Sequence, residues 1–326
     1  MKVLITGGAG YIGSVLTSYL IKKKVKVYIV DNFSTSHKIN IHRKSKLIKK
    51  DVRDTNFLTK FLIKNKIKNV IHLAAKMSND ESTRNPIKYY DNNINGTFSV
   101  VIACNRAKVK NLVFSSSCAV YGNNQTKTIA ENHPLKPVAP YGLSKILSEE
   151  IITHNKNKLL NFAILRYFNV IGADYNNKKG QVLKNNQLFQ NISLSVINKK
   201  KLKVYGNKFS TRDGYAVRDF IDVNDLADLH YKFLAYIDKK NKNILVNCGY
   251  GKGHSVMEVI KKFEKITKKK LNYKIANIRS GDIAYSVSNI KKLSKTLNWK
   301  PKFSNLNISI KNTILWNNFL KKKKII

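Results

Sequence analysis

The chain contains no run of 18 or more apolar residues. It opens directly in a strand-like run, so neither a membrane span nor a secretory leader is expected. Cysteine is scarce: Cys104, Cys118 and Cys248 are odd in number and have no metal or redox spacing. That pattern argues against a disulfide framework or a metal site and for a reducing cytoplasm. Acidic residues are also few, 19 against 61 basic ones, for a formal net charge of +42. Such an excess invites a nucleic-acid partner. Here, however, it is nearly all Lys, spread along the chain beside abundant Asn and Ile, as base composition in an AT-rich genome would produce on tolerant surfaces. No stripe of Arg and aromatics accompanies it, so no nucleic-acid partner is expected. A non-catalytic polyanion binder is a distant alternative, distinguished by steep salt dependence. The Lys321 to Lys324 run reads as a solvated helix end. No internal repeat or low-complexity linker is visible. With 43% hydrophobic residues in 326, the chain can bury a sizeable core, as two domains or one large α/β domain.

What is present begins with Val3-Leu4-Ile5-Thr6-Gly7-Gly8-Ala9-Gly10-Tyr11-Ile12-Gly13. A short apolar run, a glycine turn and an amphipathic segment to Lys22 read as strand, tight turn, helix. Gly7 and Gly10 let the backbone turn and approach a pyrophosphate, and Gly13 lets the helix lie close to the sheet. The helix N-terminus offers N–H groups and a positive dipole end to phosphate. The spacing is G-x-x-G-x-x-G rather than G-x-G-x-x-G, and an ordinary turn would also need glycine. A second apolar run, Val25 to Val30, ends on Asp31. An acidic residue there, roughly 20 residues beyond the glycines, is placed to bind a ribose 2′-OH. It also repels a 2′-phosphate, which favours NAD over NADP.

Further strands are expected at Lys46 to Lys50, Asn69 to Ala75 and Asn111 to Phe114, with a long helix from Pro86 to Ala107. Alternating strands and helices demand a parallel sheet, with ligands at the carboxyl ends of its strands. His72 lies in a buried strand and reads as a hydrogen-bonded core histidine before a catalytic one. Pro140 opens a helix expected to reach about Asn157, on which Tyr141 and Lys145 stand one turn apart on the same face. A phenol is a poor base near neutrality. A nearby ammonium, together with a cationic nicotinamide, would lower its pKa and suit it to remove a hydroxyl proton while hydride leaves the same carbon. Ser117, at the adjacent strand end, can bind the same oxygen.

These residues carry a family resemblance. The chain resembles the extended short-chain dehydrogenase/reductases and, within them, the UDP-hexose 4-epimerases. The pieces are ITGGAGYIGS, the DN at Asp31, YYDNNINGT from Tyr89, SSSCAVYG, YGLSK, RYFNVIGA from Arg166, NNQLF from Asn185, and YGNKFSTRDGYAVRDFIDVNDLAD from Tyr205. The resemblance runs from Lys2 to about Trp316. It implies an α/β fold, a doubly wound Rossmann parallel sheet with a smaller α/β substrate-binding cap. Residues 1–172 would bind NAD, part of 216–250 would return to that domain, and 173–326 would mainly form the UDP-sugar-binding cap. Gly7, Gly10, Tyr11, Ile12, Gly13, Asp31, Asn32, Asp51, Val52, Leu73, Asn92, Lys145 and Phe168 match NAD contacts. Tyr141 matches the catalytic base, which also lies against the cofactor, and Ser117 the hydroxyl on the reacting oxygen. Asn169, Asn186, Arg218 and Arg279 match groups that hold the UDP phosphates, uracil and ribose, where a guanidinium fork suits a diphosphate. Lys76 stands one place earlier than the family's usual Lys and is given no cofactor contact. A homodimer is the family expectation.

The resemblance leaves two choices open. A nucleotide-sugar 4,6-dehydratase shares the fold and the Tyr/Lys pair, but typically carries an adjacent Asp-Glu where this chain has Ser117-Cys118. Aligned on Arg279-Ser280-Gly281-Asp282, Ser286 falls where epimerases restricted to glucose and galactose tend to carry a bulky Tyr. A small residue there opens space for an acetamido group, unless Tyr285 supplies the wall through a local shift.

Overall fold

Short runs of aliphatic and β-branched residues become the core strands of the computed structural model, which describes residues 1–123, 126–155, 159–176, 178–182, 187–279 and 282–326. The strands are β1 (Lys2–Thr6), β2 (Lys26–Asp31), β3 (Lys46–Lys49), β4 (Asn69–His72), β5 (Asn111–Ser117), β6 (Asn161–Tyr167), β7 (Asn169–Ile171), β8 (Leu202–Tyr205), β9 (Val217–Asp222), β10 (Ile244–Cys248), β11 (Gly253–Ser255), β12 (Tyr273–Ala276) and β13 (Tyr285–Ser286). The chain divides into two units. One comprises 1–120, 137–166 and 227–246, and the other 121–136, 167–226 and 247–326.

The first unit is built on a seven-stranded sheet in the order β10-β6-β5-β4-β1-β2-β3. The pairs β2–β3, β1–β2, β1–β4 and β4–β5 are all parallel. Val3, Leu4, Ile5, Val70, Ile71, Leu112 and Val113 are buried. These continuous apolar runs are the mark of a sheet covered on both faces. The strand order reverses between β1 and β4, so the sheet is doubly wound and its ligand crevice belongs outside the carboxyl ends there. In register, Thr6 lies between Val30 and His72, and His72 beside Phe114. The next residues along the chain, Gly7, Asp31, Leu73 and Ser115, therefore share one edge.

The structure differs from the expected elements at several places. β4 ends at His72, before the small residues that follow, and β5 runs on through the serines to Ser117. The helix expected from Pro86 to Ala107 is interrupted by a π-helical turn, Tyr90–Asn95, a device frequent at functional sites. β6 was not anticipated, although Phe162-Ala163-Ile164-Leu165 is a continuous apolar run.

Part of the Lys excess has a structural place. Lys24, Lys66 and Lys108 end helices in the left-handed region, with φ of 59°, 52° and 51°. Glycine or asparagine is the usual choice there, but a cation complements the helix C-terminal dipole.

The second unit centres on β9, which pairs with β11 antiparallel and with β13 and β7 parallel. β8 and β12 form a separate parallel pair. Its core gathers Phe189, Ile192, Phe220, Val259, Phe263 and Ile310. Among the described residues, no helix is long and apolar enough to cross a membrane.

Candidate active site

Gly7 has φ +72°, and a Cβ there would lie 2.8 Å from the Ala74 backbone nitrogen. Only glycine fits that turn against the end of β4. Gly13, in the first turn of helix Tyr11–Lys22, faces Gly7, and its added Cβ would meet Gly8 Cα at 2.7 Å and the Gly7 carbonyl oxygen. Gly10 differs from expectation. Its φ of −72° and ψ of −179° are extended backbone, so the left-handed turn belongs to Gly7, although a Cβ at Gly10 would still stand 3.2 Å from the Gly7 carbonyl oxygen. No side chain caps the helix and no acid stands in its first turn, which leaves the positive dipole end for an anion at Tyr11 and Ile12.

Asp31 is 7% exposed and accepts hydrogen bonds from Ala9 N at 3.0 Å, Phe33 N at 2.9 Å and Ser36 Oγ at 2.7 Å. The carboxylate thus ties the glycine loop to the end of β2. Asn32 Nδ2 donates to Asp51 Oδ2 at 2.9 Å. Arg53 grips the same carboxylate through Nε and Nη2, both at 2.9 Å, and holds it well below the usual carboxylate range. Val52 is buried beside Gly96. Leu73 N donates to the Thr6 carbonyl, which places that residue beside the glycine turn. Asn92 Nδ2 donates to Asn93 Oδ1. A backbone held close by missing Cβ atoms, an uncapped helix end and a buried carboxylate at the tip of β2 together fit a dinucleotide.

At the end of β5, Tyr141 is hydrogen-bonded to Ser117, whose Oγ also accepts from Ala119 N at 3.2 Å. Lys145 is 3% exposed, donates Nζ to the Ser115 carbonyl at 2.7 Å and lies 4.9 Å over the Phe114 ring. Burial pushes the Tyr141 phenol up to about 12, opposed by the Ser117 hydrogen bond. Burial pushes Lys145 down to about 7, opposed by the Glu149 carboxylate. The expected lowering of Tyr141 by Lys145 is therefore not present in the protein alone. Desolvation wins, and the ammonium is turned onto a backbone carbonyl.

His72 is a core residue, as expected. Thr6 Oγ1 donates to Nδ1 at 2.7 Å, Nε2 donates to Thr97 Oγ1 at 3.1 Å, and Thr97 donates on to the Asn93 carbonyl at 2.7 Å. That chain assigns the proton to Nε2. Burial, then Lys145, pushes His72 down to about 3. Below about pH 6.5 the unfolded chain binds a proton that the folded site refuses. Stability at this site is therefore full above that pH and is lost on acidification at up to about 1.4 kcal/mol per pH unit. Between pH 7 and pH 5 the unfolding free energy should fall by about 2 kcal/mol more in the wild type than in His72→Gln. Equal losses in urea denaturation would refute the neutral, buried assignment.

In the second unit, Phe168 is buried and its N–H donates to the Cys248 carbonyl, while Asn169 is exposed at the head of β7. Arg218 on β9 donates Nη1 to the Val217 carbonyl at 3.0 Å. Ser286, 4% exposed, is in register with Arg218, and Tyr285 with Val217. Side chains alternate along a strand, so Ser286 shares the Arg218 face and Tyr285 takes the other. Arg279 corrects the simple picture of a fork awaiting a diphosphate. Its Nε and Nη2 bind Asp282 at 2.9 and 3.0 Å, and its guanidinium lies 4.6 Å over Tyr205, because a carboxylate three residues on is within reach. Asn186 lies outside the described residues.

Sequence reasoning missed several supporting residues. Buried Asn93, beside Asn92, exchanges hydrogen bonds with both backbone groups of Lys76 and donates to Ser144 Oγ on the Tyr141 helix. Buried Asp219, beside Arg218, accepts from Tyr250 N, Gly251 N and Ser288 N, fixing β9 to the segments around it. The only local signal was adjacency to a residue already singled out. Glu149, one turn beyond Lys145, had the helical spacing but no visible partner. Among the described residues no group of three or more His, Cys, Asp or Glu could hold a metal.

Residues 3–249 match the NAD dependent epimerase/dehydratase family. A UDP-glucose 4-epimerase of Lactobacillus helveticus is 38% identical over 319 residues, 97% of each chain. A solved UDP-glucose-4-epimerase from Stenotrophomonas maltophila, with bound NAD and formylated UDP-arabinopyranose, matches with a TM-score of 0.95 at 32% identity over 99% of both chains. The UDP-Glc/GlcNAc 4-epimerase of Campylobacter jejuni matches with a TM-score of 0.85 at 35% identity, over 98% of this chain and 99% of its own. With most of its length in the family match and near-complete relatives above 30% identity, the chain belongs to the NAD dependent epimerase/dehydratase family.

Proposed function

We propose that the protein is an NAD-dependent UDP-hexose 4-epimerase that interconverts UDP-glucose and UDP-galactose through a transient 4-keto sugar. The observation that carries this reading is the Tyr141–Ser117 hydrogen bond at the end of β5, with Lys145 fixed one turn along on the Ser115 carbonyl. The glycine loop and the end of helix Tyr11–Lys22 would hold the cofactor diphosphate, Asp31 and Asn32 the ribose, Asp51 and Val52 the adenine, and Leu73, Asn92 and Lys145 the nicotinamide half. NAD, once bound, supplies a reversible acceptor for the C4 hydrogen and a positively charged ring. Tyr141 Oη removes the O4 proton while Ser117 Oγ hydrogen-bonds that oxygen, and Lys145 stabilises the phenolate. Tyr141 returns the proton after the keto sugar has presented its other face. Asn169, Asn186, Arg218 and Arg279 bind the UDP moiety.

Dehydration at C5 and C6 needs an acid and a base, and Cys118 beside Ser117 supplies no carboxyl group. That favours epimerisation, as do relatives named UDP-glucose 4-epimerase at 97% coverage. A homodimer and a cytoplasmic location complete the reading. The latter is supported by Cys104 and Cys248, buried free thiols suited to a reducing compartment.

The pocket wall extends the proposal to N-acetyl sugars. Ser286 shares the Arg218 face of its sheet, and a relative of comparable identity is named a UDP-Glc/GlcNAc 4-epimerase. Incubation with UDP-glucose and UDP-GlcNAc, with products resolved, should show both converted. Ser286→Tyr should lose UDP-GlcNAc turnover by roughly tenfold or more, since overpacking is worth about 1–3 kcal/mol, and keep UDP-glucose turnover. A wild type that leaves UDP-GlcNAc untouched refutes the wall, and one that leaves UDP-glucose untouched refutes the function.

A further inference from the structure

Behind the reacting groups lies a buried ion pair that the proposed chemistry does not use. Glu149 stands one turn beyond Lys145 on helix Pro140–Thr153. Arg166, on β6, donates Nε to Glu149 Oε1 at 2.9 Å and Nη2 to Oε2 at 2.6 Å. Each side chain is only 4% exposed. The Ser116 hydroxyl donates to the same carboxylate. Ser116 sits between Ser115, whose carbonyl receives Lys145 Nζ, and Ser117, which holds Tyr141. One carboxylate thus joins the helix that carries Tyr141 and Lys145 to β5 and β6.

We propose that the Glu149–Arg166 pair is a positioning device for this site, with Glu149 supplying the negative charge that favours the ammonium form of Lys145 in its dry setting. The inference rests on Lys145 serving Tyr141, as under the proposed function. Cross-linking alone does not require charges, since buried ion pairs are often replaced by apolar residues of similar volume with no loss of stability. What an apolar pair lacks is a field at Lys145. Lys145 meets neutral His72 on β4, the Phe114 ring and Ser115 carbonyl on β5, and Glu149 on its own helix, where Tyr141 stands one turn earlier. Arg166 on β6 acts through Glu149. Among these Glu149 is the sole carboxylate, and it opposes the burial that pushes Lys145 down to about 7. Arg166 fixes where that carboxylate points.

The test compares wild type, Glu149→Gln and the apolar double variant Glu149→Met/Arg166→Met, each as the purified holoenzyme. The 13Cε shift of Lys145, assigned by its loss in Lys145→Met, is followed against pH. An unperturbed lysine titrates at about 10.4, which sets the Lys145 signal apart. The midpoint should fall by about one pH unit or more in both variants, the size of shift a nearby opposite charge produces. The alkaline limb of kcat should move down in parallel, while the double variant keeps a Tm close to wild type. A folded double variant whose midpoint and limb coincide with wild type overturns the proposal and leaves a merely structural pair. Failure of the wild type to epimerise UDP-glucose would remove the proposed function instead, and the midpoint comparison would still decide the role of Glu149.

Discussion

Tyr141→Phe is expected to lower kcat for UDP-glucose epimerisation by about 100- to 10,000-fold, the range of general acid–base contributions. The substitution removes one oxygen. Tyr141 packs edge-on against Tyr89, with ring centroids 6.4 Å apart, and phenylalanine preserves that contact. Bound NAD should therefore stay near wild type, since the cofactor contacts proposed for the glycine loop, Asp31 and Asp51 are untouched. The effect should be large because neither His72 nor Lys145 is placed to take over the proton. His72 is locked between two threonines and pushed down to about 3, and Lys145 is committed to the Ser115 carbonyl. Single-turnover and steady-state rates with bound NAD verified make the test. Near-wild-type turnover in Tyr141→Phe would remove the assignment.

The second large effect is structural in origin. Gly13→Ala adds one methyl where the Gly7 carbonyl and Gly8 Cα already stand, the latter 2.7 Å from the new atom. Both obstacles are backbone, so no rotamer relieves the clash. Either helix Tyr11–Lys22 moves outward or the loop opens, and both outcomes spoil the phosphate cradle. Overpacking of this kind is worth roughly 1–3 kcal/mol. We expect a Tm lower by several degrees and a purified protein retaining roughly tenfold less NAD, tenfold being about 1.4 kcal/mol of binding. Nucleotide released by acid from equal amounts of protein measures the second quantity. Wild-type NAD content would show that the close approach at Gly13 is not needed.

The parts of the fold that could be read from the chain are those whose causes are local. β1, the glycine turn, helix Tyr11–Lys22 and the acid ending β2 lie within 31 residues, and each follows from periodicity or from a missing Cβ. β6 escaped because Phe162 to Leu165 has no alternation, and an unpatterned apolar run does not distinguish strand from helix. The serines ending β5 read as loop by composition, but the strand runs three residues past Phe114, where its pairing with β4 stops. The π-helical turn at Tyr90–Asn95 left no periodic trace. It accompanies tertiary bonds from Asn93 to Lys76 and Ser144.

In the site, Tyr141, Lys145 and Ser117 were legible because two lie one helical turn apart and the third ends a nearby strand. The state of those groups was not. The rise of Tyr141 and the fall of Lys145 are both desolvation effects, set by what packs around them. The Glu149–Arg166 pair joins residues 17 positions apart in the chain, and neither side chain announces the other. Arg279 shows the converse limit, since its resemblance-based role gave no hint of the Asp282 carboxylate that holds its fork.

The most direct measurement uses UDP-glucose carrying deuterium at C4, with the products resolved and read by NMR at C4 and C6. Epimerisation at Tyr141 predicts UDP-galactose with the deuterium still at C4. A 4-keto-6-deoxy product with the label moved to C6, or recovery of unchanged UDP-glucose, would contradict it.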